Sequence, residues 1–248
     1  MSTPGIADRK VTRARRRQYV PPQHGAWAML LLPYLAGLLL SGFAWPAVPL
    51  LGAWIAGYLL SYYLLQAVKT RRPARFGPQI GRYAPVTVVL AVPVVAARPA
   101  LLWFAPAYAV LLAVNVWYAW RRRERALLND LASVVQSCLM VPVVAVVAGS
   151  APRWQPFLIV LLYFTGTVLF VKTMIRERGS VAYRRASIVY HLAALAVATL
   201  IDAVAAVVFA GLLCRAWLLP GRPLTPRQVG FVEIGASVLV LAAAVLAD

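Results

Sequence analysis

Lys172, Arg176 and Glu177 stand where one apolar run ends, and His191 lies inside the next, in the stretch FVKTMIRERGSVAYRRASIVYH from Phe170 to His191. Lysine and arginine bind phosphate groups directly, arginine in bidentate fashion. A neighbouring carboxylate can orient the bound group or exchange a proton with it. Two other stretches repeat the mixture. SYYLLQAVKTRRPAR sets Gln66, Lys69 and Thr70 about one turn apart on one helical face, with Arg71 following. WRRRERALLNDLASVVQ holds Arg121, Arg122, Arg123 and Glu124, then Asn129 and Asp130, with Ser133 and Gln136 beyond. Lys69, Arg71, Lys172 and Arg176 are the expected contacts to an anion, with Arg121 nearby. Asn129, Asp130 and Glu177 are expected to orient it or to act as acid and base.

Several of these residues have a plainer reading. Asp130 opens an apolar helix and can simply balance the positive end of its dipole. His191, one turn into a span, is either a group that titrates near neutrality or a hydrogen-bonded interior residue. His24, in QHGAW, is either interfacial or part of the same pocket. As a helix, the stretch after Phe170 puts Lys172, Arg176 and Gly179 on one side, and Glu233 is expected to pair with Arg227. Each arginine alone reads as a topological charge that snorkels to lipid headgroups. The acids, amides and histidine at the same depth have no part in that role, and a polar pocket at the cytoplasmic side accounts for both signs together.

The elements that must hold these groups are membrane helices. The 248 residues are 62% hydrophobic and 13% charged, and most apolar runs lack the polar face that a soluble helix needs. At about 20 apolar residues per crossing, nine spans are expected, near 26–44, 46–68, 84–97, 100–120, 126–149, 155–174, 187–200, 203–219 and 229–247. The third is short, and only Asp202 divides the seventh from the eighth. With the amino terminus inside, the cytoplasmic segments collect 23 of the 25 Lys and Arg, leaving Arg98 and Arg153 outside. The chain is thus expected as a multi-pass protein of the cell membrane with an external carboxyl terminus. Residues 1–25 read as a basic, disordered cytoplasmic arm and 26–248 as one transmembrane helical domain.

In that setting the net charge of +18 points to anionic headgroups and away from nucleic acid. Cys138 and Cys214 are too far apart for a metal or redox motif. No P-loop, GxSxG or HExxH is present.

The combination QHGAWAM, LLNDLAS and VKTMIRERGSVAYRRASIVYH resembles the YwiC-like family of bacterial integral membrane proteins, over nearly the whole chain after the basic arm. More distantly, the nine spans and the polar loops after spans two and six are similar to the UbiA-type intramembrane prenyltransferases. That likeness implies an all-α, UbiA-like helical bundle in which aspartates of those two loops hold magnesium against a polyprenyl diphosphate. Here the loops read YYLLQAVKTRRPAR and FVKTMIRERGSVAYRRAS, with no aspartate and only Glu177 acidic. Magnesium requires hard oxygen ligands, so no metal and no cofactor is expected, and a UbiA-like transferase would lack its usual metal site. The expected function is binding of an anionic isoprenoid or lipid headgroup in the cytoplasmic-side pocket, with membrane lipids as partners and no catalytic residue assigned. The alternatives are a non-catalytic membrane assembly partner, its protein partner unknown, and a small-anion transporter.

Overall fold

The computed structural model describes Tyr19, Pro21 and residues 24–246, the side chains of residues 24 and 25 excepted. The His24 candidate and nearly all of the expected arm therefore lie outside the described residues. The described chain runs α1 (His24–Ser41), α2 (Ala47–Thr70), α3 (Pro73–Ala97), a 3₁₀ segment (Pro99–Phe104), α4 (Ala105–Trp120), α5 (Leu127–Cys138) and α6 (Met140–Val147). It continues through α7 (Trp154–Val171), a π-helical turn (Lys172–Arg176), α8 (Val181–Ile201), α9 (Ala203–Leu218) and α10 (Pro226–Leu246).

Seven helical stretches are long and apolar enough to cross a membrane: 47–70, 73–97, 99–120, 127–147, 154–176, 181–201 and 226–246. Two shorter apolar helices, Ala26–Ser41 and Ala203–Leu218, complete nine among the described residues. The chain is a multi-pass, all-α membrane bundle.

The third helix corrects the expected boundary, since it starts at Pro73 and not near 84. Proline is well placed at the start of a helix, where its missing N–H would have no partner in any case. In this polar first half Arg75 lies over the Phe76 ring at 5.8 Å and Arg82 over that of Tyr19 at 5.4 Å. The seventh expected span, α8, likewise begins earlier than expected, at Val181, where the Ser180 hydroxyl accepts the Tyr183 N–H. Asp202 does separate the seventh span from the eighth. Its backbone is extended, and its carboxylate accepts the N–H groups of Val204 (2.6 Å) and Ala205 (3.2 Å), capping α9. The fifth span is one crossing in two helices, broken at Leu139. Pro142 cannot donate to the carbonyl of Cys138, which ends the first helix there.

Packing is uneven. α5, α6 and α7 fill the centre, where Val134, Val141, Ile159, Val160 and Phe164 meet the small faces Ala36, Ala194, Ala198, Ala205 and Ala244. Small residues allow helices to approach closely where lipid supplies no hydrophobic drive. At Gly37 the approach is close: a Cβ there would lie 2.8 Å from the Val141 carbonyl oxygen. α2 and α3 form an antiparallel hairpin whose register is read from Gly52 against Leu90 and from Tyr63 stacked on Tyr83 at 6.0 Å. α3, the 3₁₀ segment and α4 otherwise turn large apolar side chains outward, Val89, Val92, Trp103 and Trp117 among them.

Candidate functional site

Four connections meet at one end of the bundle and are tied to each other by their own side chains. Arg122 Nε donates to the Lys69 carbonyl at 3.3 Å, joining the α4–α5 connection to the end of α2. Lys172 Nζ donates to the Arg125 carbonyl at 2.8 Å, joining the same connection to the end of α7. Arg178 donates to the Arg222 carbonyl at 2.9 Å and Arg184 to that of Trp217 at 3.4 Å, joining α7–α8 to α9–α10. The two arginines read from sequence as outside lie elsewhere: Arg98 donates to the Val147 carbonyl and Arg153 to that of Leu40.

The α4–α5 connection, residues 121–126, is the hub of this basic end. Its backbone is held at two points. Asn129 Nδ2 donates to the Glu124 carbonyl at 2.8 Å, and Asn115 in turn donates to Asn129 Oδ1 at 2.9 Å and to Ser133 Oγ at 3.2 Å. On the other side Lys172, already on the Arg125 carbonyl, pairs with Asp130 at 2.8 Å. Lys172 is buried and opens a π turn, closed by the Glu177 N–H on the Lys172 carbonyl at 2.7 Å. Such turns are rare and cluster at functional sites.

Held in this way, the connection surrounds an open hollow of about 660 Å³ lined by Lys69, Tyr118, Arg122, Arg123, Glu124, Arg125 and Ala126. Four cations face one carboxylate. Lys69 and Glu124 form an ion pair across it, each side chain about one-third exposed. Partial burial raises the Glu124 carboxyl, but the Lys69 hydrogen bond, its own backbone N–H and the charges of Lys69 and Arg125 outweigh it and leave the group below its ordinary value. Arg122 adopts φ 55°, a left-handed conformation that favours glycine, and so does Arg71 at φ 56° where it caps α2.

Of the residues singled out in the sequence, Lys69 and Glu124 line this hollow, while Asn129, Asp130 and Lys172 fix its wall. The others stand apart from the lining. Gln66 is half-buried and its carbonyl accepts from Thr70 at 2.8 Å. Arg71 is exposed, and Arg121 is exposed with its guanidinium over Trp117 at 4.5 Å. Lys172 is buried and Arg176 exposed, with Glu177 half-buried beyond it, and the helix ends at Arg176, so the expected continuation to Gly179 is corrected. Arg122, Arg123, Arg125 and Tyr118 were not singled out as binding residues. Their signal was the density of WRRRER itself, which reads equally well as topological charge.

A second polar cluster lies inside the bundle and collects the remaining candidate, His191. Arg215 of α9 pairs with Glu233 of α10, and both are largely buried. The Glu233 carboxylate also accepts from Thr167 at 2.8 Å and Tyr163 at 3.3 Å, and Tyr163 shares a hydrogen bond with Ser237 at 2.9 Å. The expected Glu233–Arg227 pair is thus corrected: Arg227 is exposed and lies over Phe231. Sequence neighbourhood favoured Arg227, whereas an arginine among apolar residues, at Arg215, needs an opposite charge within reach. His191 Nδ1 lies 2.7 Å from the Ser187 carbonyl, which can only accept, so Nδ1 carries the hydrogen and Nε2 accepts from Arg215 at 3.5 Å. The guanidinium also lies over Phe170, 4.3 Å from the ring centre. This cluster shares no residue with the lining of the hollow.

The sequence pattern of YwiC-like protein matches residues 20–145, from α1 to α6 and so across nearly the whole hollow. The uncharacterized protein YwiC of Bacillus subtilis (strain 168) is 32% identical over 225 residues, covering 87% of this chain and 92% of its own. This chain belongs to the YwiC-like family. An uncharacterized protein of Haemophilus influenzae (strain ATCC 51907 / DSM 11121 / KW20 / Rd) is 31% identical over 223 residues, 85% of this chain and 90% of that protein. No solved structure matches. For this YwiC-like protein the magnesium site of the prenyltransferases does not fit the hollow, which offers one carboxylate among four cations. Among the described residues no three His, Cys, Asp or Glu side chains gather into one group.

Proposed function

We propose that this YwiC-like protein binds the phosphate-bearing headgroup of an anionic isoprenoid or phospholipid in the hollow at its basic end, which faces the cytoplasmic leaflet. The observation that carries the reading is the convergence of Lys69, Arg122, Arg123 and Arg125 on one hollow, with Glu124 the only acid among the described residues that line it. The side follows from the positive charges, which membranes retain in the cytoplasm. Three guanidinium groups offer paired donors matched to phosphate oxygens. The lipid chain would lie along the outward faces of α3 and α4, where Trp117 and Trp120 stand exposed beside the hollow-lining Tyr118. The left-handed backbone at Arg122 supports the same reading, since a strained non-glycine residue persists where its side chain is needed.

The test is mass spectrometry of the lipids retained after purification in mild detergent, comparing the parent with the Arg122→Gln/Arg123→Gln pair. Charge-assisted hydrogen bonds are worth about 1.5–3 kcal/mol each, so retention of the bound lipid should fall at least about tenfold. Equal lipid content in parent and variant rejects the proposal. Lys172→Gln is the poorer probe, because Lys172 holds the loop and does not line the hollow.

A second reading, passage of a small ion, draws on the Arg215–Glu233–His191 cluster, since polar groups at depth in a span mark ion pathways in many transporters. Ion flux through proteoliposomes that is lost in Glu233→Gln would favour it over headgroup binding.

A further inference from the structure

The hollow already contains an anion of the protein's own. Glu124 reaches across to Lys69, in a hollow that Arg122, Arg123 and Arg125 also line. The two ion pairs of the α4–α5 connection differ in a way that separates their roles. Lys172–Asp130 has a buried lysine that also holds the Arg125 carbonyl, so opening it would release the backbone. Lys69–Glu124 is about one-third exposed on both sides, and exposed pairs contribute only about 0–1 kcal/mol. Because the Glu124 carbonyl is anchored by Asn129, its side chain can leave Lys69 by a change of rotamer alone, with the loop unmoved.

We infer that Glu124 is a tethered placeholder that sets the charge of the accepted ligand, admitting polyanionic phosphate groups and excluding monoanions. The inference rests on the headgroup reading above. A tethered carboxylate acts at an effective concentration of about millimolar or more, so a monoanion with one charge to offer Lys69 gains little by replacing it. A group bearing two or more negative charges engages Lys69 and the arginines together and displaces Glu124. With Glu124 turned outward, Lys69, Arg122, Arg123 and Arg125 are free to share such a group. Without the carboxylate, the discrimination should collapse from the monoanion side.

The experiment uses the full chain in phosphatidylcholine nanodiscs, in two arms that separate a free phosphate from a lipid. In solution the probes are pyrophosphate and the monoanion dimethyl phosphate; in the membrane they are phosphatidic acid and phosphatidylglycerol doped into the nanodisc. The parent should prefer the polyanion in one arm, and that arm names the source. Glu124→Gln should tighten monoanion binding in the same arm about fivefold, the upper end for an exposed pair, and narrow the preference. Glu124→Asp, which keeps the charge, should behave as the parent, and melting temperatures measured in parallel confirm that each variant is folded. Monoanion affinity unchanged or weakened in Glu124→Gln overturns the placeholder role. If Arg122→Gln/Arg123→Gln leaves every probe's binding unaltered, the headgroup reading falls; if it weakens binding while Glu124→Gln matches the parent, only the placeholder role falls.

Discussion

Neutralising Glu233 should destabilise the bundle far more than its single ion pair would at a surface, and removing Arg215 as well should restore most of the loss. In Glu233→Gln the guanidinium of Arg215 stays buried between the face of Phe170 and the neutral Nε2 of His191, with its carboxylate gone. Breaking a buried pair from one side costs about 3–5 kcal/mol, because an uncompensated charge remains in a medium that solvates it poorly. Arg215→Met leaves the mirror-image problem, a carboxylate held only by Thr167 and Tyr163. The double variant Arg215→Met/Glu233→Gln carries no charge, keeps an acceptor for Thr167 and places a flexible apolar side chain on Phe170. Its loss should be about 1–2 kcal/mol, so the two substitutions should be non-additive by about 3 kcal/mol or more. Reversible unfolding in mixed micelles at rising SDS, followed by circular dichroism, measures all four proteins. Additive losses, or a loss below about 1 kcal/mol in Glu233→Gln alone, would refute the argument that this pair is a buried, interdependent unit.

Other outcomes follow from single contacts. In Gly166→Ala the new Cβ would lie 3.0 Å from His191 Nε2 and 3.3 Å from Tyr190 Cε1. The same unfolding assay should show a loss of about 1–3 kcal/mol, and a stability equal to the parent's would mean that the ring yields freely. Asp202→Ala removes the acceptor for two N–H groups at the start of α9 and should cost about 0.5–2 kcal/mol, with hydrogen exchange at Val204 and Ala205 rising first. For Glu124, the cationic surroundings should put the carboxyl midpoint in a ¹³C-detected titration below the ordinary 4.5, and a midpoint above it contradicts the ion pair. Because the folded-state value is depressed, the pair's contribution is present above that ordinary value and is lost only as pH falls through the lowered midpoint.

Hydrophobic length made most of the fold legible, because a span needs only enough apolar residues and each of the nine runs had nearly enough. It failed where the helix was stabilised by something other than apolar content. The first half of α3, PARFGPQIGRY, is too polar and proline-rich to read as part of a span, yet it is helical from Pro73, where a proline suits the first turn. The sequence also brought forward Lys69, Glu124, Asn129, Asp130 and Lys172, because acids and amides beside basic clusters have no topological use. It could not divide these residues from His191. All appeared at similar depth along their own helices, and only the crossing of α8 with α7 and α9 shows that the histidine faces Arg215. Nor does residue type reveal the π turn, which arises from a carbonyl choosing the fifth N–H along instead of the fourth.

That wide turn has a consequence for the length of the chain. Lys172–Arg176 accommodates one residue more than an ordinary turn, and a helix rotates by about 100° for each residue. Deleting a single position there would restore regular winding and swing Ser180 and the whole entry to α8 around the axis, away from the Arg178–Arg222 and Arg184–Trp217 ties. Connections at the rim of a protein ordinarily tolerate insertions and deletions. Here the spacing between Phe170 and Ser180 is constrained as firmly as the identity of any side chain in it.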